Sequence, residues 1–166
     1  SRSDAAPAPA ARRKQPRLDD KVLLAWNGLM IGAMARVGGM LQEERYLKAA
    51  GRAADFVLSK MRSERLLRSY RAGQAQTPAF LEDYAFLIDG LLAAHEAGAP
   101  MRAAPLDAAR DLAREAQALF GDPGGGFFDT REGQSDLFVR ARTTHDGAIP
   151  SGSSAMLHAL IRLHEL

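Results

Sequence analysis

The sequence predicts an all-α fold built from repeated helical hairpins. Five segments place their apolar residues at the 3.6-residue period of an α-helix. Three of these segments are apolar on almost every side, the other two are amphipathic, and the two kinds alternate along the chain. A helix that is apolar all round has to be covered by its neighbours. We therefore expect stacked hairpins, each with an inner apolar helix and an outer amphipathic helix.

The composition is that of a soluble globular protein. Of the 166 residues, 46% are hydrophobic and 25% are charged, and the formal net charge is +2. Such a small net charge does not indicate nucleic-acid binding. The chain has no cysteine, which excludes disulfides, thiol catalysis and thiolate metal sites. The longest apolar stretch, residues 22–40, is broken by Asn27 and Arg36, so its uncharged part is too short to span a membrane.

Residues 1–17, SRSDAAPAPAARRKQPR, differ in composition from the rest of the chain. They are rich in Ala, Pro and basic residues, and they contain no apolar run of the kind found in a signal peptide. A segment so poor in large apolar groups does not offset the entropy cost of ordering. We predict a disordered linker over 1–17, a folded domain over 18–166 and a cytoplasmic location. The basic residues of segment 1–17 are also suited to contact with an acidic surface.

The first hairpin is predicted over residues 18–61. An apolar helix over 18–37 is expected to end at Gly38 and Gly39, because glycine tolerates the left-handed conformation at a helix C-terminus. An amphipathic helix over 43–61 follows, with one apolar stripe and one charged side.

The second hairpin and a third inner helix follow the same pattern. Thr77 and Pro78 have the residue types of an N-cap and a first helical residue, which predicts an inner helix over 78–96. An outer helix is predicted over 105–120. The third inner helix begins near Ser151, a natural N-cap, and runs to Leu166.

The connections between hairpins are long and are expected to lie at one end of the array. Inner-to-outer links are short, whereas both outer-to-inner links are long, and hairpin helices alternate in direction. The last long link contains two β-like runs, 126–130 and 137–142, which predict a small β-hairpin there. Long loops gathered on one rim commonly carry function.

Five motifs of the chain resemble a known family. The segments DDKVLLAWNGLMIGAMARVG, LLRSYRAG, FLEDYAFLIDGLL, GGGFFDT and DGAIPSGSSAMLHAL are similar, in this order, to motifs of thioredoxin-domain-containing proteins related to spermatogenesis-associated protein 20. The resemblance covers about residues 18–166 and implies an (α/α) toroid of the six-hairpin glycosidase-like type, akin to N-acylglucosamine 2-epimerase. It also implies a thioredoxin-like domain upstream in full-length proteins.

Only part of such a ring is present. About five helices, or two and a half hairpins, predict a partial toroid with a small β-hairpin in the last long loop. A partial ring exposes the sides of its first and last helices, and each large apolar side chain left uncovered costs roughly 1.5 to 3 kcal/mol. We therefore expect the open seam to be covered by a second copy of the chain or by further polypeptide.

Carboxylates stand near the starts of two inner helices. Asp19 and Asp20 are adequately explained by the helix dipole, which favours anions at an N-terminus by about 0.3 to 1 kcal/mol each. Glu82 and Asp83 stand on a helix with little polar surface. A buried carboxylate must be paired or have its pKa shifted, and such acids are candidates for general acid or base work.

Aromatic, amide and cationic residues accompany these acids. Trp26 and Asn27 suit either stacking on a sugar ring with hydrogen bonds to its hydroxyls, or a core tryptophan with an asparagine bonded to backbone carbonyls. Arg68, Tyr70 and Arg71 are placed either to clamp a polyol or an anionic ligand, or to neutralise Glu82 and Asp83.

The segment THDGAIPSGSS offers further polar groups at the start of the third inner helix. His145 suits proton transfer near neutral pH, although a single loop histidine also fits a structural or surface role. The segment is not a nucleophile elbow, because no strand directly precedes it and the required glycine spacing is missing.

We accordingly predict sugar or polyol binding at the inner-helix rim, with acid–base epimerisation or glycoside hydrolysis as the reaction class that the fold relatives suggest. Candidate catalytic residues are Asp83, Glu82, His145 and Asp146. Candidate substrate-binding residues are Trp26, Asn27, Arg68, Tyr70, Arg71, Tyr84 and Ser153. No cofactor or metal site is predicted, and the paired histidines of sugar epimerases of this fold have no counterpart in the chain. The alternative is a non-catalytic structural or interaction module of a thioredoxin-like protein.

Overall fold

A computed structural model describes residues 19–133 and 139–166. Within these ranges the chain forms five α-helices and three short β-strands. The elements in chain order are β1 Val22–Leu23, α1 Leu24–Leu41, α2 Glu44–Lys60, β2 Leu67–Arg71, β3 Gln74–Pro78, α3 Leu81–Glu96, α4 Pro105–Phe120 and α5 Gly152–Glu165. The linker predicted over residues 1–17 lies outside the described residues.

The helices form two layers. The inner helices α1, α3 and α5 lie side by side with α3 in the middle, while the outer helices α2 and α4 pack against α1 and α3 respectively. The predicted alternation of inner and outer helices is thus confirmed. It follows from the sequence because the outer helices have one apolar stripe, whereas the inner helices are apolar on several sides.

Helix α3 is the centre of the core. Between Leu81 and Ala94 every residue is buried except Glu82 and Asp89. These two residues are seven positions apart, which places them on the same face of the helix, about two turns from each other. Helix α3 therefore presents a single polar stripe, and neighbouring elements cover its other faces.

A three-stranded antiparallel sheet, ordered β1-β2-β3, lies next to the starts of α1 and α3. Val22 pairs with Tyr70, and Leu67 pairs with Pro78. Ala72 and Gly73 have positive φ angles of 49° and 85° in the tight turn between β2 and β3, and the right-handed twist of paired strands favours such turns. The sheet thus connects the first long link to both inner-helix starts.

The sheet changes the predicted start of two inner helices. Helix α1 begins at Leu24 rather than near residue 18, because Val22 and Leu23 are paired with β2. Helix α3 begins at Leu81, and the prediction of Thr77 as its N-cap and Pro78 as its first residue was wrong. Pro78 is the last residue of β3, and Phe80 is the N-cap.

The predicted end of α1 was also wrong. Gly38 and Gly39 are helical, and the helix ends at Leu41, followed by the C-cap Gln42, whose φ of 52° is left-handed. A Cβ at Gly38 would lie 2.9 Å from Cδ2 of Leu47. The same Cβ would lie 3.1 Å from the Leu47 backbone nitrogen, so Gly38 favours the close packing of α1 on α2 and does not end the helix.

The β-hairpin lies in the first long link instead of the last one. In the described part of the last link, residues 121–133 and 139–150, no strand forms, and Gly121 and Phe127 make an isolated bridge. Part of the run predicted over 137–142 lies outside the described residues. The predictions for α2, α4 and α5 are confirmed within one or two residues, and Ser151 is the N-cap of α5.

Apolar side chains remain exposed on α1 and α5, the two inner helices that flank α3. They are Trp26, Met30, Val37, Met40 and Leu41 on α1 and Leu157 and Ile161 on α5, with Leu166 at the chain end. These are the faces at which the open seam was expected, and its covering by a second copy or further polypeptide stays a prediction. No helix in the described ranges has the length and apolar character needed to cross a membrane.

Tyr84 connects the inner and outer layers. Its hydroxyl donates a hydrogen bond to Glu115 of α4 and accepts one from the Leu66 amide at 3.4 Å. Its ring packs edge-on against Phe120, with centroids 5.4 Å apart. The side chain is buried, and burial together with the Glu115 carboxylate raises its pKa. Tyr84 therefore faces the outer layer.

Replacing Tyr84 by Phe is expected to lower the free energy of unfolding by about 1.5 to 3 kcal/mol, because a buried hydrogen bond to a charged group is lost. Urea denaturation measures the change. Tyr46→Phe is the matched control, since the Tyr46 hydroxyl is at the surface. This substitution should change the free energy of unfolding by less than about 0.5 kcal/mol. Equal effects of the two substitutions would contradict this role of Tyr84.

Candidate functional site

Asp83 is a buried carboxylate that joins three elements. One oxygen accepts a hydrogen bond from the Ala25 amide of α1 at 3.2 Å. The other accepts from the Phe80 amide at 2.8 Å and from Nη1 of Arg68 in β2 at 3.1 Å. Asp83 is 0% exposed. It therefore fixes the starts of α1 and α3 against the sheet and offers no surface to a ligand.

Burial raises the pKa of Asp83 to about 6, and the Phe80 amide and Arg68 partly counteract this increase. The carboxylate is consequently ionised at neutral pH, in keeping with its three donors. Two backbone amides and the Arg68 guanidinium stabilise its negative charge.

Arg68 neutralises both acids at the start of α3. Its Nη2 lies 2.8 Å from Oε1 of Glu82, and its guanidinium lies over the Phe80 ring at 4.6 Å from the centroid. The structure thus brings Arg68, Glu82 and Asp83 together, as one of the two alternatives predicted. Arg71 is not part of this group, because its Nε pairs with Asp20 at 2.6 Å.

Three other predicted residues do not converge on this group. Tyr70 packs edge-on against Phe56, with ring centroids 5.1 Å apart. Asn27 donates to the Leu23 carbonyl at 2.8 Å, whereas Trp26 is 67% exposed. Adjacent helical residues diverge by about 100°, so the tryptophan and the amide point in different directions.

A cleft of about 410 Å³ opens where α3 and α5 begin. We call it the rim cleft. Its polar lining includes Glu82, His145 and Thr143, and its apolar lining includes Phe80 and Ile149. The complete lining is Phe80, Glu82, Asp129, Thr130, Thr143, His145, Gly147, Ile149, Pro150, Ser151 and Gly152.

Two carboxylates shape the rim cleft by holding its loops. Asp129 accepts from the Thr143 amide at 3.0 Å and from the Thr143 hydroxyl at 2.8 Å. Asp146 accepts from the Ser151 amide at 2.9 Å, and this hydrogen bond lowers its pKa. The Ser151 hydroxyl caps α5 by accepting from the Ser154 amide at 3.1 Å. Asp146 thus positions the start of α5.

The predicted residues therefore divide by position. Glu82 and His145 line the rim cleft. Asp83, Arg68 and Asp146 do not line it. Tyr84 faces the outer layer, and Ser153 is half-buried outside the cleft lining. Asp129 and Thr143 were missed. Asp129 stands in the GGGFFDT motif, and the signal for Thr143 is its position in the last long link. Their pairing across 14 residues is not readable from the sequence.

Comparison with known proteins was made by sequence and by structure. No protein-family model matches the chain. It is 40% identical to spermatogenesis-associated protein 20 of Mus musculus over 169 residues, or 93% of the chain. It is 38% identical to the Homo sapiens protein of that name over 165 residues. The chain is thus similar in sequence to one part of spermatogenesis-associated protein 20. It spans about one fifth (21%) of the length of these relatives.

A solved structure shows which fold class the chain has. Its structure matches cellobiose 2-epimerase from Spirochaeta thermophila with a TM-score of 0.66 at 17% sequence identity. The match covers 87% of this chain and 38% of the epimerase chain. At this identity the match shows the fold alone. The predicted partial (α/α) toroid is thereby confirmed.

Proposed function

We propose that this chain contributes part of a binding site for a neutral sugar or polyol at the rim cleft. The observation that carries the proposal is the composition of the cleft. A carboxylate, an imidazole and a hydroxyl, from Glu82, His145 and Thr143, line the cleft together with the apolar side chains of Phe80 and Ile149. Sites for small molecules combine apolar walls with a few polar groups, and about 410 Å³ lies within their usual range.

The chemistry of the cleft suits a hydroxylated ligand. Glu82 is held by Arg68 on one side and borders the cleft on the other, so it is positioned to accept a hydrogen bond from a ligand hydroxyl. His145 is exposed at the cleft and is able to donate or accept a proton. If the complete protein is an enzyme, we assign proton transfer to Glu82 and His145, with Asp83 and Asp146 in positioning roles. The sugar-epimerase fold supports this reaction class by analogy only.

The ligand proposal predicts a specific stabilisation of the full-length protein. A panel of glucose, cellobiose and N-acetylglucosamine, all uncharged, is tested by thermal unfolding, and at least one sugar is expected to raise Tm, since a ligand that binds only the native state stabilises it. His145→Ala and Glu82→Gln should remove the shift. Lys48→Ala on α2 is the control, because its ammonium pairs only with Glu44 on the outer surface.

A non-catalytic module of a thioredoxin-like protein is the second candidate function. The observation in its favour is that Asp83, Asp129 and Asp146 all accept hydrogen bonds from backbone amides, so these carboxylates already serve the fold. If no sugar of the panel shifts Tm, or if the two cleft variants respond as the wild type does, the ligand proposal is wrong and this candidate is favoured.

A further inference from the structure

A second polar cluster lies further along the inner helices, centred on Asp89. Nη2 of Arg36 on α1 donates to Oδ2 of Asp89 at 2.6 Å. Arg162 on α5 donates to the other carboxylate oxygen through Nη1, and its Nη2 lies 2.7 Å from Oε1 of Glu96. Asp89 therefore bridges all three inner helices, and Arg162, only 13% exposed, is held at both ends of its guanidinium.

The cluster borders a cavity of about 290 Å³, which we call the central cavity. Arg36, Asp89, Ser154 and His158 form its polar side. Its apolar lining consists of Leu29, Phe86, Pro150 and Ala155. All three inner helices thus contribute to one space.

The central cavity and the rim cleft are neighbours. Pro150 lines both of them. Glu82 of the rim cleft and Asp89 of the central cavity lie on the polar stripe of α3, about two helical turns apart. One side of α3 therefore contributes Glu82 to the rim cleft and Asp89 to the central cavity.

The charges and hydrogen-bonding groups of the central cavity suit a neutral ligand. Arg36 and Arg162 are balanced by Asp89 and Glu96, so an ionic ligand would meet a fixed group of its own sign. Arg36 uses one of its five N–H donors on Asp89. Nδ1 of His158 lies 3.7 Å from Asp89, beyond hydrogen-bonding distance, and the imidazole is 65% exposed.

We propose that the central cavity is a second subsite for the sugar or polyol ligand, in which Arg36 and Asp89 bind neighbouring hydroxyl groups and His158 binds a third polar group. The proposal rests on the proposed function of the rim cleft and extends it to a second set of residues. Arg162 is a positioning residue, because its two ion pairs fix the Asp89 carboxylate. The apolar wall then contacts the C–H surface of the ligand.

The test uses the full-length protein and whichever sugar of the panel raises Tm most. Calorimetry should show binding weakened by about tenfold or more in His158→Asn and Arg36→Gln, since the proposed hydrogen bonds of each side chain to the ligand are lost. His164→Asn is the matched control on the same helix, because His164 is exposed and does not line the central cavity. The exposure of His158 and Arg36 makes both substitutions compatible with folding.

Imidazole NMR signals give a readout independent of affinity. The sugar should shift the ring signals of His158 and leave those of His164 unchanged. If only His145 shifts, and only the rim-cleft variants lose binding, the proposed function stands and the second subsite is wrong. If no sugar binds the wild type, both proposals fail.

Discussion

Replacing Asp83 by Ala is expected to lower the free energy of unfolding by about 2 to 4 kcal/mol at neutral pH. The substitution leaves the amides of Ala25 and Phe80 without their acceptor and removes the buried partner of Arg68. An unsatisfied buried donor costs about 1 to 3 kcal/mol. The measurement is urea denaturation of the purified chain without any ligand.

Asp19→Ala is the matched control for Asp83→Ala. The Asp19 side chain is 70% exposed and, within the described part of the chain, pairs with the neighbouring Lys21 at the surface. Exposed ion pairs contribute about 0 to 1 kcal/mol. A loss for Asp83→Ala no larger than that of the control would show that the carboxylate does not hold α1, α3 and β2 together. Because the experiment contains no sugar, its result separates a structural role of Asp83 from any effect on binding.

The second large effect is expected at Gly28, where α1 and α3 approach most closely. A Cβ at Gly28 would lie 2.7 Å from the Leu87 amide nitrogen, and a Cβ at Gly90 would lie 2.6 Å from the Gly28 carbonyl oxygen. Both contacts are with backbone, which a rotamer change does not relieve. Gly28→Ala is therefore expected to destabilise the protein by about 1 to 3 kcal/mol through overpacking, despite the helix propensity of alanine, worth about 1 kcal/mol.

Gly32→Ala on the same helix is the control for Gly28→Ala. There a Cβ would meet Nη1 of Arg36 at 2.8 Å, and the guanidinium can rotate away. The control is expected to be neutral or stabilising by up to about 1 kcal/mol in urea denaturation. If Gly28→Ala proves as stable as Gly32→Ala, the backbone contact between α1 and α3 is not what sets their spacing.

Local patterns were sufficient for the outer helices. In α2 and α4 one apolar stripe alternates with charged residues, and Pro105 is the first residue of α4, as expected for a residue that lacks an N–H donor. The Ser151 cap of α5 was equally readable, because its hydroxyl bonds to an amide only three residues away. Such features depend on neighbours in the sequence, so periodicity and residue type are enough to predict them.

The starts of α1 and α3 were not predictable from local patterns. Val22 and Leu23 have the apolar character of a helix, yet they pair with Tyr70 and Ser69 in a sheet. Pro78 has the residue type of a first helical position, but it pairs with Leu67 in the sheet. In both places hydrogen bonds to a distant strand outweigh a local helix preference worth at most about 1 kcal/mol per residue.

The sequence by itself determined the alternation of apolar and amphipathic helices and with it the hairpin repeat, and the resemblance of its motifs to a known family implied the partial toroid. It also indicated that Glu82 and Asp83 need a cation, for which Arg68 was one of the candidates. Only the tertiary structure decided which acids reach a cavity. Asp89 contacts residues 53 and 73 positions away, and no local periodicity encodes such pairings. The packing of three inner helices sets these distances, so the central cavity became visible only once the helices were placed together.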